Sequence, residues 1–104
     1  MRQVMVRYRV KPDRVEENEA LVRAVYEELA RTQPEGLRYA TFKLEDGVSF
    51  VHVSSAETDD GRNPLTELPA FREFQRDIGE RCDEAPVVTG VSTIGSFRFA
   101  GGSA

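Results

Sequence analysis

The sequence predicts an α+β domain in the order β-α-β-β-α-β, a four-stranded antiparallel sheet with two helices on one face. Three observations lead there. Val4, Val6, Tyr8 and Val10 alternate with Met5, Arg7 and Arg9, the period-two pattern of a half-buried strand. Residues 37–55, LRYATFKLEDGVSFVHVSS, read as two more alternating strands joined at Asp46-Gly47, a strong hairpin signal. Two further stretches carry apolar residues every three or four positions, the spacing of a helix with one buried side.

Taken in order, Lys11-Pro12-Asp13 ends the first strand, because proline lacks the ladder donor and Asp13 can cap a helix. That helix is predicted over about 14–31, with Val15, Leu21, Val22, Val25, Tyr26 and Leu29 in one stripe. Glu16, Glu17 and Glu19 in its first turns and Arg31 at its end suit the helix dipole. Glu19–Arg23 and Glu27–Arg31 have the spacing of ion pairs on a solvated face. Pro34-Glu35-Gly36 turns the chain into the hairpin. Residues 57–64 form a loop by composition, and Asn63-Pro64 signals a short turn that includes Leu65. A second helix is expected over 69–82, with Pro69 in its first turn and Leu68, Phe71, Phe74, Ile78 and Cys82 on one side. A last strand is expected over about 87–99, bent at Gly90 or Gly95, followed by a loose tail, 101–104.

Two helices cover one face of such a sheet, so the other is wet, ligand-bound or packed on another subunit. A two-residue turn at Asp46-Gly47 pairs Glu45 with Val48, Lys43 with Phe50, Thr41 with His52 and Tyr39 with Ser54. The alternate face carries Leu44, Phe42 and Ala40 with Ser49, Val51 and Val53. This second set is mostly apolar and is expected to meet the helices together with Val4, Val6, Tyr8 and Val10. Tyr39, Thr41, Lys43, Val48, Phe50, His52 and Ser54, with Arg7 and Arg9, are then expected on the far face. Aromatics, hydroxyls and cations gathered so suit a cavity wall or a subunit interface.

Composition bounds the function. At 104 residues the chain is one domain, with an ordered core expected over about 3–100. Eighteen acids against fourteen Lys and Arg, with no basic block, argue against nucleic acid. The start of the chain lacks the roughly 7–15-residue apolar core of a signal peptide, and no run of about 20 apolar residues could cross a membrane. One cysteine, Cys82, precludes an internal disulfide and fits a reducing compartment, so a cytoplasmic protein is expected.

His52 is the only histidine. An imidazole in mid-strand can act as a general base or orient a carbonyl or phenol, since its pKa is near neutral. It can equally be a structural or interface histidine bonded to Thr41 or to a partner. Ser54 shares its face, but no carboxylate is expected nearby, so a catalytic triad is unsupported. Arg7, Arg9 and Lys43 can form an anion site, or pair with rim acids. Tyr39 is the one tyrosine expected beside His52; Tyr8 and Tyr26 read as packing residues. No metal is expected: one histidine and one distant cysteine make no zinc spacing, and Asp59-Asp60-Gly61-Arg62-Asn63 reads as turn chemistry, not a calcium loop. There is no phosphate-cradling glycine motif. Cys82 reads as a packed thiol.

The order of elements, the opening MVRYRVKPDRVEENEALV and the segment NPLTELPAFREF with its following RC resemble the dimeric α/β-barrel superfamily. Within it the chain is similar to the domain family named for antibiotic-biosynthesis monooxygenases, over about residues 4–99. The resemblance implies a ferredoxin-like fold, a homodimer with sheets paired face to face, and, in some members, oxidation of polycyclic aromatics or haem without metal or flavin. Such members use a tryptophan with a nearby asparagine, and haem degraders a histidine on the second helix. The present sequence has no tryptophan and no second-helix histidine, so no catalytic residue of the family is carried to a position here.

The functional expectation is a homodimer that handles a small, planar, acidic organic molecule without a cofactor. As an oxygenase or isomerase it would use His52 as base, with Arg7, Tyr39, Thr41 and Ser54 binding substrate. The rival expectation is a non-catalytic binding or stress-associated module whose mixed face makes the dimer. A ligand-sensing regulator would need an effector domain that this sequence does not supply.

Overall fold

The computed structural model describes residues 2–58 and 62–99. β1 (Arg2–Val10) leads through a 3₁₀ turn (Pro12–Arg14) into α1 (Val15–Thr32), and β2 (Leu37–Lys43) and β3 (Ser49–Ala56) follow. A second 3₁₀ turn (Pro64–Glu67), α2 (Pro69–Gln75), α3 (Ile78–Arg81) and β4 (Cys82–Gly90) complete the order. The four strands form one sheet in the order β2-β3-β1-β4, each neighbouring pair antiparallel. This is the ferredoxin-like arrangement, with the helices on one face.

Local chemistry explains most of the boundaries. Arg14 caps α1 without a side-chain bond, and its guanidinium instead binds Glu17 at 2.6 Å, so the expected Asp13 cap is replaced by the 3₁₀ turn. The Glu19–Arg23 pair forms at 3.2 Å, whereas Arg31 reaches Glu28 rather than Glu27. α1 stops at Gln33, left-handed at φ 47°, whose N–H closes on Leu29. Gly36 (φ 79°) is required twice over, since a Cβ there would lie 2.1 Å from the carbonyl oxygen of Glu57. Asn63 accepts from the Leu65 N–H at 3.0 Å, which starts the expected short turn.

The hairpin keeps the expected register, with Lys43 opposite Phe50, Thr41 opposite His52 and Tyr39 opposite Ser54. Its turn differs from the expected two-residue loop. The Gly47 N–H bonds the Leu44 carbonyl, making Glu45 and Asp46 the central residues, with Gly47 left-handed after them. The Asp46 carboxylate, accepting from Val48 N, Ser49 N and Ser49 Oγ, holds this wider loop.

Two expectations near the C-terminus change. The helix expected over 69–82 breaks at extended Arg76 and left-handed Asp77 (φ 55°), and Cys82 opens β4 opposite Val10. Its periodicity persisted because Phe71, Phe74, Ile78 and Cys82 all belong to the core. Arg81, 2% exposed, donates to the carbonyls of Phe74 and Arg76 and so closes the end of α2. β4 therefore covers 82–90 rather than 87–99. Beyond it the chain leaves the ladder after one further bond, Val91 N–H to Gln3, and Phe99 comes to rest 6.0 Å from the ring of Phe42. Residues 59–61 of the expected loop and the tail 101–104 lie outside the described residues.

The assignment of faces on the hairpin is reversed. Tyr8, Val10 and Phe50, with Val25 of α1 and Phe74 of α2, make the core, and Tyr39 packs against it. Ala40, Phe42, Val51 and Val53 point away, Phe42 being 39% exposed. The reason is the neighbour on the other side of β3. Val6 pairs with His52 and Tyr8 with Phe50, and cross-strand partners share a face. Once Val6, Tyr8 and Val10 meet the helices, Phe50 and His52 must meet them too. The bulk that fills the space under α1 and α2 is aromatic, and its polar atoms are satisfied among themselves.

Candidate functional site

The helix-facing side of the sheet holds a buried polar chain within an aromatic cluster. β1 supplies Tyr8, α1 supplies Asn18 and Tyr26, β2 supplies Tyr39 and Thr41, and β3 supplies His52. His52 is 5% exposed. Its Nε2 lies 2.7 Å from Tyr8 Oη, while its Nδ1 is hydrogen-bonded to Tyr39 Oη and lies 3.2 Å from Thr41 Oγ1. Asn18 Nδ2 donates to Tyr8 Oη at 3.0 Å, and Thr41 Oγ1 is 2.8 Å from Tyr26 Oη. Among the described residues, every side chain bonded to the imidazole is a hydroxyl.

Rings close around this chain. Tyr8, Tyr39 and Phe74 lie with centroids 5.3, 5.7 and 5.2 Å from His52. Tyr26 stacks on Tyr39 at 5.2 Å, and Phe71 meets Tyr39 edge-on at 6.4 Å. α2 is thus the lid of the cluster, tied to α1 by the Ala70 N–H on the Glu28 carboxylate at 2.9 Å.

The electrostatics follow from burial. Removal from water disfavours the imidazolium and lowers the His52 pKa to about 4, so the ring is neutral at pH 7. Burial raises the pKa of Tyr8, Tyr39 and Tyr26, and all three stay phenols. The Cys82 thiol is likewise pushed up by burial. The site is therefore an uncharged hydrogen-bonded network, whose neutral imidazole donates at one nitrogen and accepts at the other.

Four of the five site residues expected from the sequence come together: His52, Tyr39, Thr41 and Ser54 share one face, with Ser54 opposite both Tyr39 and Val4. Arg7 does not join them. It pairs with Val51 and Val87 on the far face. The expected Arg7/Arg9/Lys43 cluster is also split, since Arg9 pairs with Glu84 at 3.2 Å and Lys43 with Glu19 of α1 at 2.9 Å. Tyr8, Asn18 and Tyr26 were missed as site residues. Asn18 carried a readable signal: it stands at a core position of the helical stripe, between Val15 and Val22, and is wholly buried.

Among the described residues no cluster of three His, Cys, Asp or Glu could hold a metal ion. Nor is any helix there long and apolar enough to cross a membrane. A groove of about 1090 Å³ lies on the far face between the sheet and residues 92–99, with Arg38, Ala40, Val53, Ser55 and Phe97 in its walls.

No protein-family model matches the sequence, and no curated protein does. Solved structures do. An antibiotic biosynthesis monooxygenase superposes with TM-score 0.73 and 18% identity, over 91% of this chain and 100% of its own. Rv0793 from Mycobacterium tuberculosis gives TM-score 0.72 and 20% identity, over 91% of this chain and 96% of its own. SnoaB from Streptomyces nogalater, described as a cofactor-independent oxygenase, gives TM-score 0.65 and 14% identity, over 91% and 94%. At these identities the likeness is one of fold, and the chain has the fold of antibiotic-biosynthesis-monooxygenase-like proteins.

Proposed function

We propose that this protein is a homodimeric, cytoplasmic, monooxygenase-like enzyme that works without a cofactor on a small planar organic molecule at His52. The observation that carries this reading is the neutral imidazole held between two phenols and walled by Phe71, Phe74, Tyr8 and Tyr39. Flat rings on several sides favour a flat ligand, and a neutral nitrogen can accept a phenolic or enolic proton from it. Tyr39 and Thr41 would hold a ligand oxygen by hydrogen bonds beside the ring. Arg7, on the opposite face, has no part in this scheme within one subunit. The homodimer is supported by the far face, where Phe42, Val87, Ile94, Phe97 and Phe99 expose apolar surface. The lone buried cysteine supports a reducing compartment.

A second reading, a non-catalytic dimerisation or binding module, is favoured by one observation: the rings of Tyr8, Tyr39 and Phe74 already fill much of the space beside His52. The two readings separate on the His52 resonances. Addition of a polycyclic phenol or quinone to uniformly labelled protein should shift them under the enzymatic reading, together with those of Phe71 and Phe74. Shifts confined to residues 92–99, or absent at every concentration, would leave only the binding or dimerisation module.

A further inference from the structure

The fully buried Asn18 has an amide nitrogen bonded to Tyr8 Oη, while its Oδ1 has no partner. This orientation has a consequence for the imidazole. A phenol has one hydrogen, so a Tyr8 oxygen that accepts from Asn18 uses its own O–H toward its other neighbour, 2.7 Å away, His52 Nε2. Nε2 is then the acceptor, and the single proton of the neutral ring must sit on Nδ1. There it faces Tyr39 Oη and Thr41 Oγ1. The opposite amide orientation would set two N–H hydrogens where Oδ1 now stands unpartnered, in place of one carbonyl oxygen. A buried amide nitrogen with no acceptor is the costlier of the two.

We propose that Asn18 is a positioning residue which, acting through Tyr8, holds His52 as the Nδ1–H tautomer. The chain is directional: Asn18 N–H to Tyr8, Tyr8 O–H to Nε2, and Nδ1–H to the Tyr39/Thr41 end. Thr41 continues it to Tyr26, which is only partly buried and lies on α1. At the Tyr39 end Nδ1–H is donated to the hydroxyl oxygens and one hydrogen joins Thr41 to Tyr26, which leaves the Tyr39 O–H and one O–H of that pair uncommitted, donors that suit a carbonyl or phenolate oxygen rather than a cation. As a statement about substrate this rests on the reading of His52 as the reacting group. As a statement about the imidazole it stands alone.

The sole histidine makes the test clean. In ¹⁵N-histidine-labelled protein at pH 7, long-range ¹H–¹⁵N spectra should show Nδ1 in the protonated range and Nε2 in the unprotonated range. Tyr8→Phe, which removes the donor to Nε2, should convert this to a mixture or to the Nε2–H form. Asn18→Leu should do the same while Tyr8 stays in place. If Asn18→Leu does not fold, Asn18→Ala takes its place. An Nε2–H ring in the unsubstituted protein, or an unchanged Nδ1–H ring in the folded Asn18 variant, overturns the proposal. Because the readout needs no ligand, a correct tautomer in a protein that binds no planar molecule would defeat the enzymatic reading and leave this one intact.

Discussion

Tyr8 Oη and His52 Nε2 lie 2.7 Å apart across the two central strands of the sheet, beneath both long helical segments. Forty-four residues separate them in the chain, and their positions differ by one step across the β1–β3 ladder, where Val6 is the partner of His52 and Phe50 that of Tyr8. This contact fixes which face of the hairpin is internal, and it places the only histidine inside the monomer rather than at its surface.

The buried imidazole makes stability depend on pH. Burial holds the His52 pKa in the folded state at about 4, below the ordinary histidine value of about 6.5. The unfolded chain therefore binds the extra proton first, and stability falls as pH drops from 6.5 through 4. The full difference is about 3 kcal/mol, at about 1.4 kcal/mol per pKa unit. Urea unfolding at pH 7 and pH 4 should show a loss from this group in the native protein that His52→Gln does not share. Equal losses in both would contradict the burial of the ring.

Removing the imidazole altogether has a second effect. His52→Ala leaves Tyr8 Oη and Tyr39 Oη without their buried partner and opens a void among rings. A loss of about 2–4 kcal/mol is expected by urea denaturation at pH 7, with the fold retained.

The two left-handed glycines of the hairpin region should respond differently. Gly36→Ala meets both a positive φ and the Glu57 carbonyl at 2.1 Å, whereas Gly47→Ala meets the positive φ in open space. Gly47→Ala should lose about 1–2 kcal/mol, the cost of a left-handed alanine, and Gly36→Ala clearly more. Melting temperatures of the two variants give the comparison.

The far face predicts an assembly. Phe42→Glu with Val87→Glu places two carboxylates on exposed apolar sites, 39% and 62% accessible in one chain. Sedimentation should find the unsubstituted protein dimeric and the double variant monomeric with an unchanged circular dichroism spectrum. A native monomer would contradict the paired-sheet arrangement.

The order of the six main elements, the hairpin register and the apolar stripe of α1 were legible because each rests on local periodicity and turn chemistry. The faces of the hairpin were not. Ala40/Phe42/Val51/Val53 looks more apolar than Tyr39/Thr41/Phe50/His52 when β2 and β3 are read alone. Only the pairing of β3 with β1, a contact between distant residues, shows that the aromatic set must be internal. Polar atoms on Tyr39, Thr41 and His52 made that set look external, and their mutual satisfaction inside the core is invisible to a hydrophobic count. The break at Asp77 was hidden for a similar reason, because both fragments keep their apolar residues on the same side. Asn18, a polar residue in the stripe, was the one local clue to the buried network.

Oxygen uptake is the most direct test of His52 as the working centre. Purified protein is mixed with a panel of polycyclic phenols without added metal or flavin, beside His52→Ala shown to keep the same assembly state. At least one phenol should be consumed with oxygen by the unsubstituted protein, and at a rate reduced at least tenfold by His52→Ala. Equal rates in the two proteins, or no uptake with any member of a broad panel, would contradict the account.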